Sequence, residues 1–433
     1  MRKLWTTSVL LLTFSAGMWA QESSSSSQTQ AIQELLQRVT ALEKKVQDLE
    51  QQNQQLKSEA AATAGSAVQV APVRPPEAAQ TVTPPSPSPP SPMETMAEQS
   101  IVHETYPNLK IRGFANVDYT AADSPSQPTG FTMGQFVMHF TSALSKKVSF
   151  FGELSFTATQ TNYNANVERA IVRYDANDYF KVSFGRYHTP VNYWNTAFHH
   201  GAWLQTTITR PEMIKFGGRF LPVHFVGALA EGQIPSGSLG LNYNFGVGNG
   251  RETIPLLSYD GDSGDVNSNR AVVAEIFARP EKLYGLQIGG SVYQDKISPD
   301  PVAGNSFNQF KEWIYAGHLA YEKESPEVLV EFANVHHRNY FTGQTWDSQG
   351  AYAQFAYRLP GIAHKFKPYY RYEYIHVPPG EPVLMVPELK AGHTAGARYD
   401  ITDFAAFKVE YRNWNRTSTD KFQGFYAQTA FTF

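Results

Sequence analysis

Three histidines, His188, His199 and His200, stand close together in the stretch Arg186–Arg219, RYHTPVNYWNTAFHHGAWLQTTITRPEMIKFGGR. Imidazole titrates near neutrality and is the commonest metal ligand, so such a set suits a divalent ion or a proton transfer. The surroundings argue otherwise. The 433-residue chain has no cysteine, and Glu212 is the only carboxylate in the stretch. The histidines therefore read as loop-packing groups that hydrogen-bond to their neighbours, with no metal and no cofactor expected. Tyr187, Tyr193, Trp194 and Trp203 in the same stretch allow two uses: a strip on which sugars or other apolar faces stack, or anchors for the loop itself. A hydrolase would need a nucleophile, a histidine and an orienting group together. No spacing of Ser and His identifies one, so the expectation is a protein that is not an enzyme.

A second constellation is spread over the whole C-terminal three-quarters. Arg112, Arg169, Arg173, Lys181, Arg371, Arg398 and Arg412, with Lys110, Lys367 and Lys408, fall on the polar face of alternating segments. Arg186 closes another such segment. Glu153, Asp118, Glu275, Glu331, Glu373 and Glu410 fall on the same faces, and the phase of Glu168 is ambiguous. Rings of Arg and Lys favour anions, and facing ladders of opposite charge set a field across a passage. The plainer alternative is that these groups pair with one another and keep an interior hydrated.

The alternation itself defines the elements. LKIRGFANVDY places Leu109, Ile111, Ala115, Val117 and Tyr119 opposite Lys110, Arg112, Asn116 and Asp118, with Phe114 breaking the rule. VSFFGELSFTAT and FAAFKVEYRNW repeat the scheme, the latter with Phe407, Val409 and Tyr411 opposite Lys408, Glu410 and Arg412. Period-two alternation marks strands with one apolar and one polar face. Nearly every segment shows it, and no helices remain to cover the apolar faces, so lipid is the covering that fits. Aromatics make up 13% of the chain, with 28 Phe and 23 Tyr. About sixteen segments of the ~9–11 residues typical of membrane strands fit between residues 109 and 433. Connections alternate between short turns (SKK, ANDY, RPEKL, KESP, PGIAH, ITD) and longer Gly-, Asp- and Asn-rich loops, as at the two ends of such a barrel. The fold class expected is all-β: an antiparallel transmembrane β-barrel over 106–433, with both ends on the short-turn side. The 186–219 stretch is the third long loop, far above the usual ~4–6 residues, and is expected to fold inward and narrow the lumen.

Upstream, residues 1–20 carry Arg2 and Lys3 before an apolar run and read as a secretory signal peptide. Residues 21–59 hold a Ser run and then Ile32, Leu35, Val39, Leu42, Val46, Leu49, Asn53 and Leu56 at heptad a and d positions, a short α-helical coiled coil. Residues 60–105 are Pro-, Ala- and Ser-rich and suit an extended linker. Net charge is −3, which gives no reason to expect a nucleic-acid partner.

The final strand ends AQTAFTF, with Phe433 terminal. This resembles the signal read by the outer-membrane barrel assembly machinery, and with the strand pattern the chain resembles a Gram-negative outer-membrane porin. KVSFGRYHTPVNYWN resembles the strand-end stretch of the phosphate-selective porin O/P superfamily, as FGVGNG also does. A coiled coil ahead of a barrel resembles DcaP-like porins. The resemblance implies a homotrimer in outer-membrane lipid, a coiled coil in the periplasm, and small hydrophilic or anionic solutes as cargo. It implies a constriction lined by Arg112, Glu153, Arg169, Arg173, Lys181, Arg186, Arg371, Arg398 and Arg412. The constricting loop would carry His188, Tyr193, Trp194, His199, His200 and Trp203. A structural tether between outer membrane and cell wall is the other role the coil suggests.

Overall fold

The structure, a computed structural model, describes residues 106–433 except 124–128, 160, 199, 216–219, 252–260, 263, 266, 299–308, 385–388 and 417–420. The chain divides into Met1–Pro84 and Pro85–Phe433. The expected signal peptide, coiled coil and linker lie outside the described residues, apart from Lys44 and Gln51, which are helical.

Among the described residues sixteen strands close into one antiparallel barrel, each paired with its chain neighbours and β1 with β16. They are β1 Asn108–Ala122, β2 Gly130–Ala143, β3 Val148–Ala158, β4 Tyr163–Asn177, β5 Phe180–His188 and β6 His224–Ile234. Next come β7 Leu241–Asn249, β8 Ala271–Ala278, β9 Leu286–Ile297, β10 Phe310–Glu322 and β11 Glu327–Asn339. β12 Thr345–Ala356, β13 Phe366–His376, β14 Leu389–Thr402, β15 Ala405–Arg416 and β16 Lys421–Thr432 complete the ring. Closure leaves no open edge, which is what allows strands to cross a bilayer. No described helix is long and apolar enough to do so.

Exposure shows which face is which. Phe184, Ile276, Phe332, Phe355, Tyr411 and Phe425 point outward and are exposed. Their neighbours Ser183, Glu275, Glu331, Gln354, Glu410 and Gly424 point inward and are all buried. A water-soluble protein would show the reverse. Closure is fixed at Gly113, whose N–H and C=O both bond the backbone of Phe433, at 2.9 and 3.0 Å. The Phe433 ring lies over Gly113 so closely that a Cβ there would stand 2.3 Å from it.

Two strands begin later than the periodicity suggests. Phe220 and Leu221 look like the start of β6, but they are buried in the interior apolar cluster with Val191 and Trp194. Residues Gly237–Leu239 form a 3-10 turn, with Gly237 and Gly240 at positive φ, so β7 starts at Leu241. Phe114, the exception in β1, faces inward with its ring edge-on to His139 at 5.1 Å.

Candidate functional site

The inner wall of β13–β15 and the segment joining β5 to β6, residues 189–223, meet through a dense set of bonds. That segment has little regular structure: a short helix, α1 (Tyr193–Ala197), and a 3-10 turn at Glu212–Ile214. Backbone groups in such a stretch still need partners when buried. Inward charges supply them. Lys408 Nζ donates to the carbonyls of Ala202, Gln205 (2.8 Å) and Thr207 (3.2 Å). Arg398 Nη1 donates to the carbonyls of Trp203 (2.7 Å) and Gln205 (3.2 Å). Arg371 donates to the carbonyl of Thr209 (2.9 Å) and to Thr207 Oγ1 (3.2 Å). Carboxylates take the amides: Glu410 accepts from Ile208 N–H (3.0 Å) and Thr209 Oγ1 (2.5 Å), and Glu373 from Glu212 N–H (2.6 Å). Further round the ring, Glu331 of β11 accepts from Trp194 N–H at 2.6 Å and Glu327 from Thr206 Oγ1 at 2.7 Å. The Tyr193 hydroxyl donates to Glu322 of β10.

Apolar contacts complete this seat. Val191, Trp194, Met213, Ile214, Phe220 and Leu221 pack with Ile314, Leu329, Ala333, Tyr352 and Ile375 from the inner wall. Trp194 is fully enclosed, 6.0 Å edge-on to Tyr352. Tyr187 is likewise buried, beside Phe225. Both serve as anchors. Trp203 is half-buried with the Arg398 guanidinium 4.7 Å over its ring.

The remaining expected residues divide by exposure. Arg371 is fully buried, paired with Glu373 at 2.8 Å. Arg412 pairs with Glu410 at 2.7 Å and lies 3.4 Å over Tyr426. Arg173 pairs with Asp175 at 2.7 Å and with Glu231 at 3.4 Å. Glu153 takes Arg169 Nε at 2.6 Å and His139 at 2.9 Å. Arg186 holds Asp262 at 2.6 Å and the Glu168 carbonyl at 2.6 Å. Lys181 is half-buried, opposite Asp175 and Glu231 in register. Arg112 differs: it is exposed, opposite His139 on the inward face of β1–β2. His199 lies outside the described residues.

Two local irregularities shape the β4–β6 end. A bulge in β4 leaves Glu168 unpaired between Val167 and Arg169, so Glu168 and Arg169 both face inward, which is why its phase was ambiguous. Gly185 has φ +148, and a Cβ there would stand 1.9 Å from the Ala170 carbonyl. Beyond it the alternation stops, and Arg186, Tyr187 and His188 are all buried. His188 meets His224 as the last pair of the β5–β6 ladder. His200 joins them, its Nδ1 3.2 Å from Gln135 Oε1. Burial holds the His200 imidazole below its ordinary value, despite the Glu168 hydrogen bond that works the other way. His224, Gln135 and Glu327 carried no sequence signal, because only strand register shows what they touch.

A closed sixteen-strand barrel with an apolar exterior and a charged interior is the fold of the outer-membrane porins. The anion-selective porin of Comamonas acidovorans matches 76% of this chain and 100% of its own, at TM-score 0.53 and 10% identity. Salmonella typhi OmpF, in complex with daunomycin, matches 75% of this chain and 97% of its own, at 0.52 and 13%. OmpT of Vibrio cholerae matches 77% of this chain and 100% of its own, at 0.50 and 13%. No protein-family model and no curated protein matches the sequence. At such identities the likeness is one of fold.

Proposed function

We propose that this chain is a porin of the bacterial outer membrane, passing small hydrophilic solutes by passive diffusion through a lumen that residues 189–223 narrow. The observation that carries the reading is the seating of that segment on inward-facing side chains of β10–β15, led by Lys408 and Glu410. A stretch fixed to the inner wall at this many places leaves solutes the remaining cross-section. The barrel is given no catalytic role. A weak preference for anions rests on Lys110 and Arg112, since Arg371, Arg398 and Arg412 are each engaged by a carboxylate at 2.7–2.8 Å. The heptads of 31–59 support a parallel coiled coil in the periplasm, and the resemblance to trimeric porins, not the heptads, supports three chains. Phe433 supports recognition by the barrel assembly machinery.

Planar-bilayer recording of the purified full chain tests this. Discrete, voltage-tolerant conductance steps are expected, with a larger current in KCl than in the potassium salt of a bulky anion. Membranes that stay silent at saturating protein would overturn the channel reading. A reversal potential favouring potassium would overturn the anion preference alone.

A further inference from the structure

His188, His200 and His224 come from three separate places, the end of β5, the 189–223 segment and the start of β6. Their nitrogen donors all lie within 4.8 Å of one another. Ring centroids of His188 are 5.7 Å from His200 and 5.6 Å from His224. One carboxylate oxygen joins the group: Glu168 Oε2 stands 3.1 Å from His200 Nε2 and 3.0 Å from His224 Nε2. We propose that His188, His200, His224 and Glu168 form a binding site for one divalent first-row transition ion of the zinc class.

The donor set and its spacing both support this. Three imidazoles and a carboxylate are the borderline nitrogen and oxygen donors that zinc-like ions take in four-coordinate sites. With metal–ligand bonds of about 2.0–2.1 Å, tetrahedral geometry separates donor atoms by about 3.3 Å. The two Glu168–imidazole edges are already close to that value. His188, whose Nε2 stands 3.5 Å from Glu153 Oε2, has to turn toward the other donors to complete the set. An outer shell that fixes ligand orientation is also in place. Ser155 Oγ donates to Glu168 Oε1 at 2.5 Å, leaving Oε2 turned to the imidazoles. The His200 Nδ1 contact with Gln135 Oε1 suits a proton on Nδ1 and a lone pair on Nε2. Three guanidiniums stand near: Arg169 and Arg186 have other carboxylates, Glu153 at 2.6 Å and Asp262 at 2.6 Å, with Arg186 3.6 Å from Glu168, whereas Arg210 has Glu168 as an acidic neighbour. Their positive charge weakens binding and makes the ion exchangeable. Once bound, it ties the segment at His200 to the bulge of β4, the end of β5 and the start of β6.

The full-length chain, purified in detergent and stripped with chelator, is titrated with zinc chloride against a chromogenic chelator. One zinc per chain is expected. His200→Ala with His224→Ala should weaken binding by at least about a hundredfold, the upper end of what an outer-shell partner is worth. His336→Ala, which removes a partly exposed ring bonded to Asp347, should leave binding as it was. Wild-type protein that binds no zinc, or a double variant that binds as tightly as wild type, overturns the site. A heat-dependent shift in electrophoretic mobility reports whether each variant forms its barrel. If the double variant does not, cobalt substitution of the wild-type chain decides. Intense visible bands of a four-coordinate ion are expected, and a weak six-coordinate spectrum or none overturns the proposal.

Discussion

The inner walls formed by β13–β15 and by β1–β2 both carry charge, and they use it differently. On β13–β15, Arg371, Lys408 and Glu410 are buried and face backbone carbonyls and amides of residues 202–212. On β1–β2, Arg112 is exposed, and Asp118 accepts hydrogen bonds from the neutral side chains of Asn116 at 2.8 Å and Gln428 at 2.9 Å. Position on the inner face therefore does not assign a charge to the solute path. One wall supplies many partners to a buried, irregular stretch of chain, whereas the other meets that stretch at Gln135 and leaves Arg112 exposed. Irregular backbone at membrane depth persists only where it is buried in protein or lines a water-filled cavity.

Substitutions on the first wall should disturb structure most. Lys408→Met takes the ammonium from the Ala202 and Thr207 carbonyls, leaves the Gln205 carbonyl only its Arg398 bond, and leaves the nearby carboxylates less compensated. Removing one partner from a buried charged network costs about 3–5 kcal/mol. The barrel should still show its heat-dependent mobility, while limited proteolysis cuts within 200–210 at least tenfold faster than in wild type. Unchanged proteolysis would show that Lys408 does not hold the segment. Trp194→Ala tests the apolar half of the same seat. Loss of a large enclosed aromatic costs about 3–5 kcal/mol when the site cannot collapse. Part of that should appear as release of the segment rather than of the barrel, so the proteolytic effect should be smaller than for Lys408→Met. Arg112→Glu sharpens the contrast from the other side. An exposed substitution away from a packed network changes stability by about 0.5 kcal/mol or less. Its expected effect is a reversal potential moved toward cations, with wild-type proteolysis. If Arg112→Glu and Lys408→Met produced the same pattern, the distinction between the walls would fail.

The sequence was most legible where physics is local. Strand existence, number and facing follow from period-two alternation, and Lys408, Glu410 and Arg412 were placed inward correctly between Phe407, Val409 and Tyr411. It was least legible where the inner face is apolar too. In β11, Leu329, Ala333 and Val335 face inward and Val328, Val330 and Phe332 outward, so the run shows no contrast to read. What covers the inner set is Trp194 and Leu221, more than a hundred residues earlier in the chain. The same distance hid the partners of the charges: Gln205 and Lys408 meet only after all intervening strands have paired. The bulge at Glu168 and the His188–His224 pairing are register facts, and alternation alone cannot supply them.

The central claim is that residues 189–223 set the narrowest part of a channel. It is tested most directly by replacing about 192–209 with a short Gly/Ser linker and recording single channels in KCl. Strand ladders close the barrel without that segment, so the variant should assemble and show the heat-dependent mobility of the wild type. The account predicts a conductance several times larger, with reduced discrimination between small and bulky ions. An assembled variant with wild-type conductance would contradict it, because the segment would then not stand in the solute path.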